Sequence, residues 1–131
     1  MGVNSYLLDT HTFLWWLFND GRLSYNARDI IKDNDNQLFL SAASAWEIAT
    51  KHRNGKLPEA ESIVKDLPAL LKRAHVVSLD ITLEDALLAG SIQYKHRDPI
   101  DRMIFAQGQL RNFPIITNDP VFNVVRGNVI W

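Results

Sequence analysis

The feature that most constrains the fold of this chain is a regular alternation between short apolar runs and longer segments of helical periodicity. Apolar runs with the length of β-strands lie at residues 6–8, 38–40, 76–79, 115–117 and 129–131. Strands that alternate with helices along a chain favour a parallel sheet with helices on both of its faces. We therefore predict an α/β fold, in which ligands bind beyond the carboxyl ends of the strands.

The helix predicted after the second run has four residues that share one face: Ala42, Ala45, Trp46 and Ala49. We expect this face, including Trp46, to be buried, and we expect Gly55 to end the helix.

Two further helices are predicted in the second half of the chain. One would follow Thr82, a candidate N-cap. Its expected buried face consists of Leu83, Ala86, Leu87 and Gly90. The other would begin at Pro99, because proline suits the first position of a helix.

Length and composition set the class of protein. The chain has 131 residues, and we predict that residues 1–131 form a single domain. It has no cysteine, which excludes disulfides and thiolate metal sites. The sequence does not begin with a signal segment, and its longest apolar run is far shorter than the roughly 20 residues that span a bilayer. We expect a cytoplasmic protein without a membrane partner. The formal net charge of −1 neither favours nor excludes nucleic-acid binding.

Acidic residues follow the predicted strands at the edge where a ligand would bind. Asp9 ends the first strand, Glu47 lies about one turn into the helix after the second, and Asp119 follows the fourth. Asp98 and Asp101 flank the start of the third helix, in the stretch HRDPIDR. Four carboxylates converging at one edge would repel one another, and a divalent cation would relieve that repulsion.

Each of these acids also has a structural alternative. Ser44 and Glu47 have the spacing of a capping box. Asp98 suits an N-cap, which would place Asp101 at the third helical position. Asp9 could cap the first helix, and Asp119 precedes a proline and could be a turn residue.

The type of metal follows from the ligands on offer. The chain lacks cysteine, and its four histidines do not form an HExxH or similar pattern, which argues against a zinc site. Carboxylate oxygens are the ligands that Mg²⁺ and Mn²⁺ prefer. The acid cluster therefore indicates Mg²⁺ or Mn²⁺.

Four stretches carry a resemblance to a known family: LLDTHTFLWWL, LSAASAWEIATKHRNGKL, HRDPIDRMIFAQ and IITND. In content and order they resemble PIN-domain ribonucleases, and best the VapC-type toxins of bacterial and archaeal toxin–antitoxin pairs. The resemblance covers essentially the whole chain. It implies a three-layer α/β/α sandwich around a mainly parallel sheet, and Mg²⁺- or Mn²⁺-dependent endoribonuclease activity. It also implies a homodimer and a cognate antitoxin whose C-terminal segment covers the active site.

The resemblance also implies site residues. The metal-site acids would be Asp9, Glu47, Asp101 and Asp119. The supporting residues would be Thr117, which orients a carboxylate or a water, Ser41 at a second small polar position, and the peripheral Asp98.

Three basic residues near the acids are predicted contacts for RNA phosphates: Lys51, Arg97 and Arg102. Arg102 is favoured because it follows Asp101 directly. The alternative for each of the three is a solvated position on a helix.

The sequence lacks the motifs of two other phosphate-binding classes of protein. A haloacid-dehalogenase site needs a second acid where the sequence has His11, and no GxxxxGK[ST] loop for nucleotide binding is present. The remaining alternative is a catalytically silent PIN-like domain that binds RNA or protein. Such a domain would be indifferent to metal and to EDTA.

Overall fold

The computed structural model describes residues 4–93, 97–124 and 128–131. Its centre is a five-stranded sheet in the order β3-β2-β1-β4-β5, and every pairing is parallel. The strands are β1 (Ser5–Leu8), β2 (Gln37–Ser41), β3 (Val76–Leu79), β4 (Ile115–Ile116) and β5 (Val129–Ile130). The predicted strands and their parallel arrangement are therefore confirmed.

Helices connect the strands. In the described residues they are α1 (Thr10–Leu17), α2 (Tyr25–Lys32), α3 (Ala42–Arg53), α4 (Glu61–Lys65), α5 (Leu67–Arg73), α6 (Leu83–Ser91) and α7 (Pro99–Arg111). Short 3-10 helices lie at Pro58–Ala60 and Pro120–Val124. No helix in the described part of the chain is long and apolar enough to cross a membrane.

Two hydrophobic cores lie on opposite faces of the sheet. Leu7 and Leu8 are neighbours in β1 and are both fully buried, because successive side chains of a strand point to opposite faces. Leu8 belongs to the core that includes Phe13 of α1 and Ile48 of α3. Leu7 belongs to the core that includes Ile104 of α7. The fold is thus a three-layer α/β/α sandwich, as predicted.

The predicted buried face of α3 is wrong. The residues it buries are Ala43, Ser44 and Ile48, and Trp46 is 65% exposed. Neighbouring positions on a helix are about 100° apart, so a shift of one residue turns a different face of an alanine-rich helix toward the core. The face that is buried is the one that carries the large apolar side chain of Ile48. The predicted end is confirmed, since Gly55 follows the helix with a φ of 75° that suits glycine.

The predicted buried face of α6 is also wrong, although its start is confirmed. Thr82 caps the helix in a reciprocal capping box with Asp85. The helix buries Asp85 and Ala89, whereas Leu83 is 79% exposed. Asp85 pairs with Arg111 of α7, so that the face of α6 with Asp85 and Ala89 is buried and the one with Leu83 and Leu87 is exposed.

Candidate active site

Asp9 stands at the carboxyl end of β1, the central strand. The residue is 4% exposed, and both of its carboxylate oxygens accept hydrogen bonds. Oδ1 accepts from the Thr10 amide at 2.8 Å, so that Asp9 caps α1, and Oδ2 accepts from the Thr117 hydroxyl at 2.9 Å. These two bonds fix the orientation of the carboxylate.

The electrostatic surroundings of Asp9 disfavour its charged form. Burial raises the pKa of Asp9 above its ordinary value, and the nearby carboxylate of Glu47 raises it further. The hydrogen bonds from Thr117 and Thr10 and the neighbouring His11 act in the opposite direction without reversing the shift. A cation bound here would remove the conflict.

Thr117 links Asp9 to Asp119. Its hydroxyl is buried just beyond β4, donates to Asp9 and accepts from the Asp119 amide at 3.0 Å. Oδ1 of Asp119 accepts from the Val121 amide at 3.0 Å, which caps the 3-10 helix that follows. Asp119 therefore has the predicted turn role, and hydrogen bonds through a single residue, Thr117, also connect it to Asp9.

Glu47 lies on α3, and its structural alternative fails. A capping box with Ser44 would need Ser44 to be the N-cap of α3, but the helix begins at Ala42 and its N-cap is Ser41. The Glu47 carboxylate instead lies 3.1 Å from the ammonium of Lys51 on the next turn.

Ser41, a predicted supporting residue, and Ser44, which was not predicted as one, both lie at the start of α3. The Ser41 hydroxyl is buried and accepts from the Ala43 amide at 3.0 Å, which is the geometry of a helix cap. Ser44, which was missed as a site residue, is fully buried and accepts from the Thr10 hydroxyl at 2.8 Å. This bond ties the start of α1, next to Asp9, to the turn of α3 that carries Glu47.

A cavity of about 300 Å³ opens between α1 and α3 beside these residues. Its lining includes Thr10, His11 and Glu47, together with the basic side chains of Lys51 and Lys56. An anionic ligand that enters this cavity would meet positive charge next to the acids. Lys56 was not predicted, and only its distance of nine residues from Glu47 in the sequence could have suggested it.

Asp98 and Asp101 occupy the start of α7, where the sequence placed them. Asp98 is the N-cap, and its Oδ1 accepts from the amides of Ile100 at 2.9 Å and of Asp101 at 3.4 Å. Asp101 is partly buried at the third helical position, and Arg97 is exposed just before the helix. His96, from the same stretch, lies outside the described residues.

Arg102 has a different environment from the one expected of an RNA contact. Its guanidinium donates to the carbonyl oxygens of Ala89 at 2.7 Å and Ile92 at 2.8 Å, at the end of α6. These bonds join the end of α6 to the first turn of α7, which carries Asp101. The guanidinium therefore has a structural role in the fold, and the phosphate contact predicted for Arg102 stays a prediction.

The predicted gathering of four acids is realised only in part. Asp9 and Asp119 are joined through Thr117, and Glu47 is near enough to Asp9 to repel it. Within residues 4–93, 97–124 and 128–131, however, no three acidic or histidine side chains are grouped closely enough to hold one metal ion.

Solved structures share this fold. The DNA-bound VapBC structure from Salmonella typhimurium matches with a TM-score of 0.67 at 17% identity, over 96% of this chain and 95% of that one. VapC20 of Mycobacterium tuberculosis, described as a sarcin-ricin loop cleaving toxin, matches with a TM-score of 0.65 at 13% identity, over 91% of this chain and 93% of that one. At these identities the likeness extends to the fold alone.

Sequence relatives narrow the family. Ribonuclease VapC22 of Mycobacterium tuberculosis is 29% identical over 118 residues, which are 89% of this chain and 88% of the relative. Ribonuclease VapC16 of the same organism is 43% identical over 54 residues, but that match spans only 41% of this chain and 38% of the relative. Residues 6–128 match the PIN domain family, nearly the whole chain. The chain therefore belongs to the PIN-domain family.

Proposed function

We propose that this chain is a metal-dependent endoribonuclease and the toxin of a toxin–antitoxin pair. The observation that carries the proposal is the buried carboxylate of Asp9 at the end of the central strand, whose pKa is raised by burial and by Glu47. An acid kept in such surroundings is a candidate functional group. The names of both Mycobacterium tuberculosis relatives include the word ribonuclease, which supports RNA as the substrate.

The donor set fits Mg²⁺ or Mn²⁺. We assign Asp9 and Asp101 as principal ligands and Glu47 and Asp119 as direct or water-mediated ligands. All four offer oxygen, which these hard cations prefer. Mg²⁺ is commonly held by one or two carboxylates and several waters, so a site of this kind does not require three acids in direct contact.

The chain's own residues position the reaction. A bound cation would acidify the attacking water and neutralise charge on the phosphate. Thr10 and Thr117 hold the Asp9 carboxylate at 2.8 and 2.9 Å, so that it keeps its orientation as the substrate binds. Glu47 or Asp119 accepts a proton from the attacking water.

Lys51 and Arg97 supply positive charge for the RNA backbone. Lys51 lies 3.1 Å from Glu47, where its ammonium can turn from that carboxylate to an incoming phosphate. Arg97 is exposed at the start of α7.

Three further parts of the proposal concern assembly. A cognate antitoxin would cover the site with its C-terminal segment, and toxin–antitoxin complexes occur among the structural neighbours. A homodimer is supported by Leu83 and Leu87, which lie one turn apart on α6 and are 79% and 65% exposed. We also propose a cytoplasmic location, where a ribonuclease would meet cellular RNA, and a single domain over residues 1–131 stays a prediction.

The test is cleavage of fluorogenic RNA with Mg²⁺, with EDTA, and by Asp101→Asn. We expect cleavage that EDTA abolishes and that Asp101→Asn loses while remaining folded. Mn²⁺ at a hundred times its Kd should also stabilise the wild type by about 2.7 kcal/mol, and Asp101→Asn less. Binding of RNA without cleavage, unaffected by EDTA, would instead identify a silent RNA-binding domain.

A further inference from the structure

Trp46 is the most unusual apolar residue near the candidate site. It is 65% exposed, although tryptophan is highly buried on average, and it precedes Glu47 in α3. Its exposure has no explanation in the packing of α3, whose buried face is carried by Ala43, Ser44 and Ile48.

Trp46 lines a cavity of about 220 Å³ between α3 and the first turn of α7. Pro99 and Ile100 contribute apolar surface from α7, and Thr50 and Lys51 contribute a hydroxyl and an ammonium from α3. Glu47 lines this cavity and also the neighbouring cavity of about 300 Å³ between α1 and α3. The apolar cavity therefore borders the cavity beside the candidate active site, and the Glu47 and Lys51 side chains line both.

We propose that Trp46, Pro99 and Ile100 form a subsite for one unpaired RNA base next to the scissile phosphate. This inference rests on the proposed ribonuclease function and adds to it an aromatic residue that would contact the RNA beside the reacting phosphate. Aromatic side chains bind unpaired bases by stacking, whereas the bases of an RNA duplex are stacked inside the helix and are out of reach.

The charges around the cavity match a nucleotide better than a purely apolar ligand. A base on Trp46 would bring its phosphate toward Lys51, whose ammonium lies 3.1 Å from the Glu47 carboxylate. The cavity is smaller than the 300 Å³ or more typical of sites that enclose a drug-sized molecule, which agrees with a single planar group.

The first experiment compares Trp46→Ala with Trp46→Phe, after the sites of cleavage in an unstructured RNA have been mapped for the wild type. Trp46→Ala should lower kcat/KM roughly 5- to 150-fold, the range for alanine substitution of a base-stacking residue, and Trp46→Phe should keep most of the activity. The control is Tyr25→Ala, which removes another aromatic side chain, 87% exposed on α2, and should leave cleavage unchanged. Melting curves check that all variants fold.

The second experiment uses RNAs of the same sequence in which one nucleotide near the cleavage site is made abasic. At one position the wild type should lose about as much activity as Trp46→Ala loses on the intact RNA. At that position Trp46→Ala should lose nothing further, because the two changes remove the same contact.

The outcomes separate the subsite from the ribonuclease function. If the wild type cleaves no RNA with Mg²⁺ or Mn²⁺, the function fails and the subsite falls with it. If the wild type cleaves and Trp46→Ala cleaves equally well, or if the two losses add, the subsite alone is wrong. Unchanged cleavage with loss of antitoxin binding would assign Trp46 to a protein interface instead and would also overturn the subsite.

Discussion

Asp9 and Asp85 are both buried aspartates at the start of a helix, but their surroundings differ in the source of compensating charge. Asp85 pairs with the Arg111 guanidinium through bonds of 2.8 and 3.0 Å and accepts a further bond from Gln107 at 3.1 Å. Burial opposes ionisation of Asp85, but these bonds and the one with Thr82 outweigh it and lower its pKa to about 2.

The charge of Asp9 is compensated less completely. It accepts from a backbone amide and a hydroxyl, and its pKa is raised by burial and by the like charge of Glu47. Asp85 is therefore neutralised within the protein, whereas the charge of Asp9 is one that the proposed cation would neutralise. A buried acid is a better candidate for function when its own fold does not supply the opposite charge.

The pair formed by Asp85 and Arg111 serves the site indirectly. It joins α6 to α7 at one end, and Arg102 joins the same two helices at the other through the carbonyls of Ala89 and Ile92. The helix that carries Asp101 is thus held at both ends against α6. Stability and catalysis should accordingly separate when the two aspartates are changed one at a time.

The largest effect expected is on cleavage by Asp9→Asn. Asparagine is nearly isosteric and can still cap α1, so the fold should persist, and its stability should rise because a buried charge is removed. Cleavage should fall at least about 10²-fold, the scale for loss of a catalytic group. Asp85→Asn should retain cleavage under conditions where it is folded. Near-normal cleavage by Asp9→Asn would refute the assignment of Asp9.

The next effect is on stability. Here Asp85→Asn should show the larger loss, whereas Asp9→Asn should show the larger loss of cleavage. Asp85→Asn leaves the Arg111 guanidinium without its carboxylate, and we expect a loss of about 3 kcal/mol, the lower end of the range for breaking a buried pair. The side chain of Arg111 is 22% exposed, which lets water replace part of the interaction. Urea denaturation measures the loss, and the exposed Asp29→Asn is the control, expected within about 0.5 kcal/mol of wild type. Equal losses of stability in Asp9→Asn and Asp85→Asn would contradict the difference between these two aspartates.

The sequence predicts the sheet and the edge of the site because both depend on local patterns. Short apolar runs become strands buried on both faces, as Leu7 and Leu8 show. The carboxyl ends of parallel strands meet at one edge of the sheet, so acids at those ends are expected to lie near one another. Asp9 and Asp119 were found in this way and Thr117 through the family resemblance, and the structure connects the three by hydrogen bonds.

The sequence does not predict features that depend on contacts distant in the chain. The hydrogen bond between Thr10 and Ser44 joins residues 34 apart, and the pair formed by Asp85 and Arg111 joins residues 26 apart. Neither leaves a periodic signal. The exposure of Trp46 was missed for the same reason, since only packing decides which face of an alanine-rich helix is buried.

The pH dependence of stability should also have opposite signs for the two aspartates. The folded pKa of Asp85 lies below its ordinary value of 3.8, so its contribution to the free energy of unfolding is full above pH 3.8 and is lost as the pH falls toward 2. The folded pKa of Asp9 lies above 3.8, so its ionisation destabilises the metal-free protein as the pH rises through that pKa. Denaturant melts in EDTA from about pH 2 to about pH 6 measure both effects. Asp85→Asn should reduce the acid-side loss, and Asp9→Asn should increase stability at the upper end. If both variants gained stability, or both lost it, at the upper end of this pH range, the result would contradict this account.

The smallest effect expected is on the stability of Asp98 variants. Asp98 and Asp101, the two acids at the start of α7, should differ as Asp85 and Asp9 do, one in stability and the other in cleavage. Asp98 is the N-cap, with bonds to the amides of Ile100 and Asp101, so Asp98→Ala should lose about 1 kcal/mol of stability and Asp98→Asn much less. Both variants should still cleave RNA while they are folded, because Asp98 caps the helix and is not assigned as a ligand of the cation. Asp101→Asn should show the reverse, a retained fold with cleavage lost, because the amide cannot supply the negative charge that a cation needs. Fluorogenic RNA cleavage with Mg²⁺, paired with denaturant melts, measures both properties for each variant. If Asp98→Asn abolishes cleavage and Asp101→Asn retains it, the roles of the two acids are exchanged. If both retain it, neither acid of α7 holds the cation, which must then be held by the acids that follow the strands.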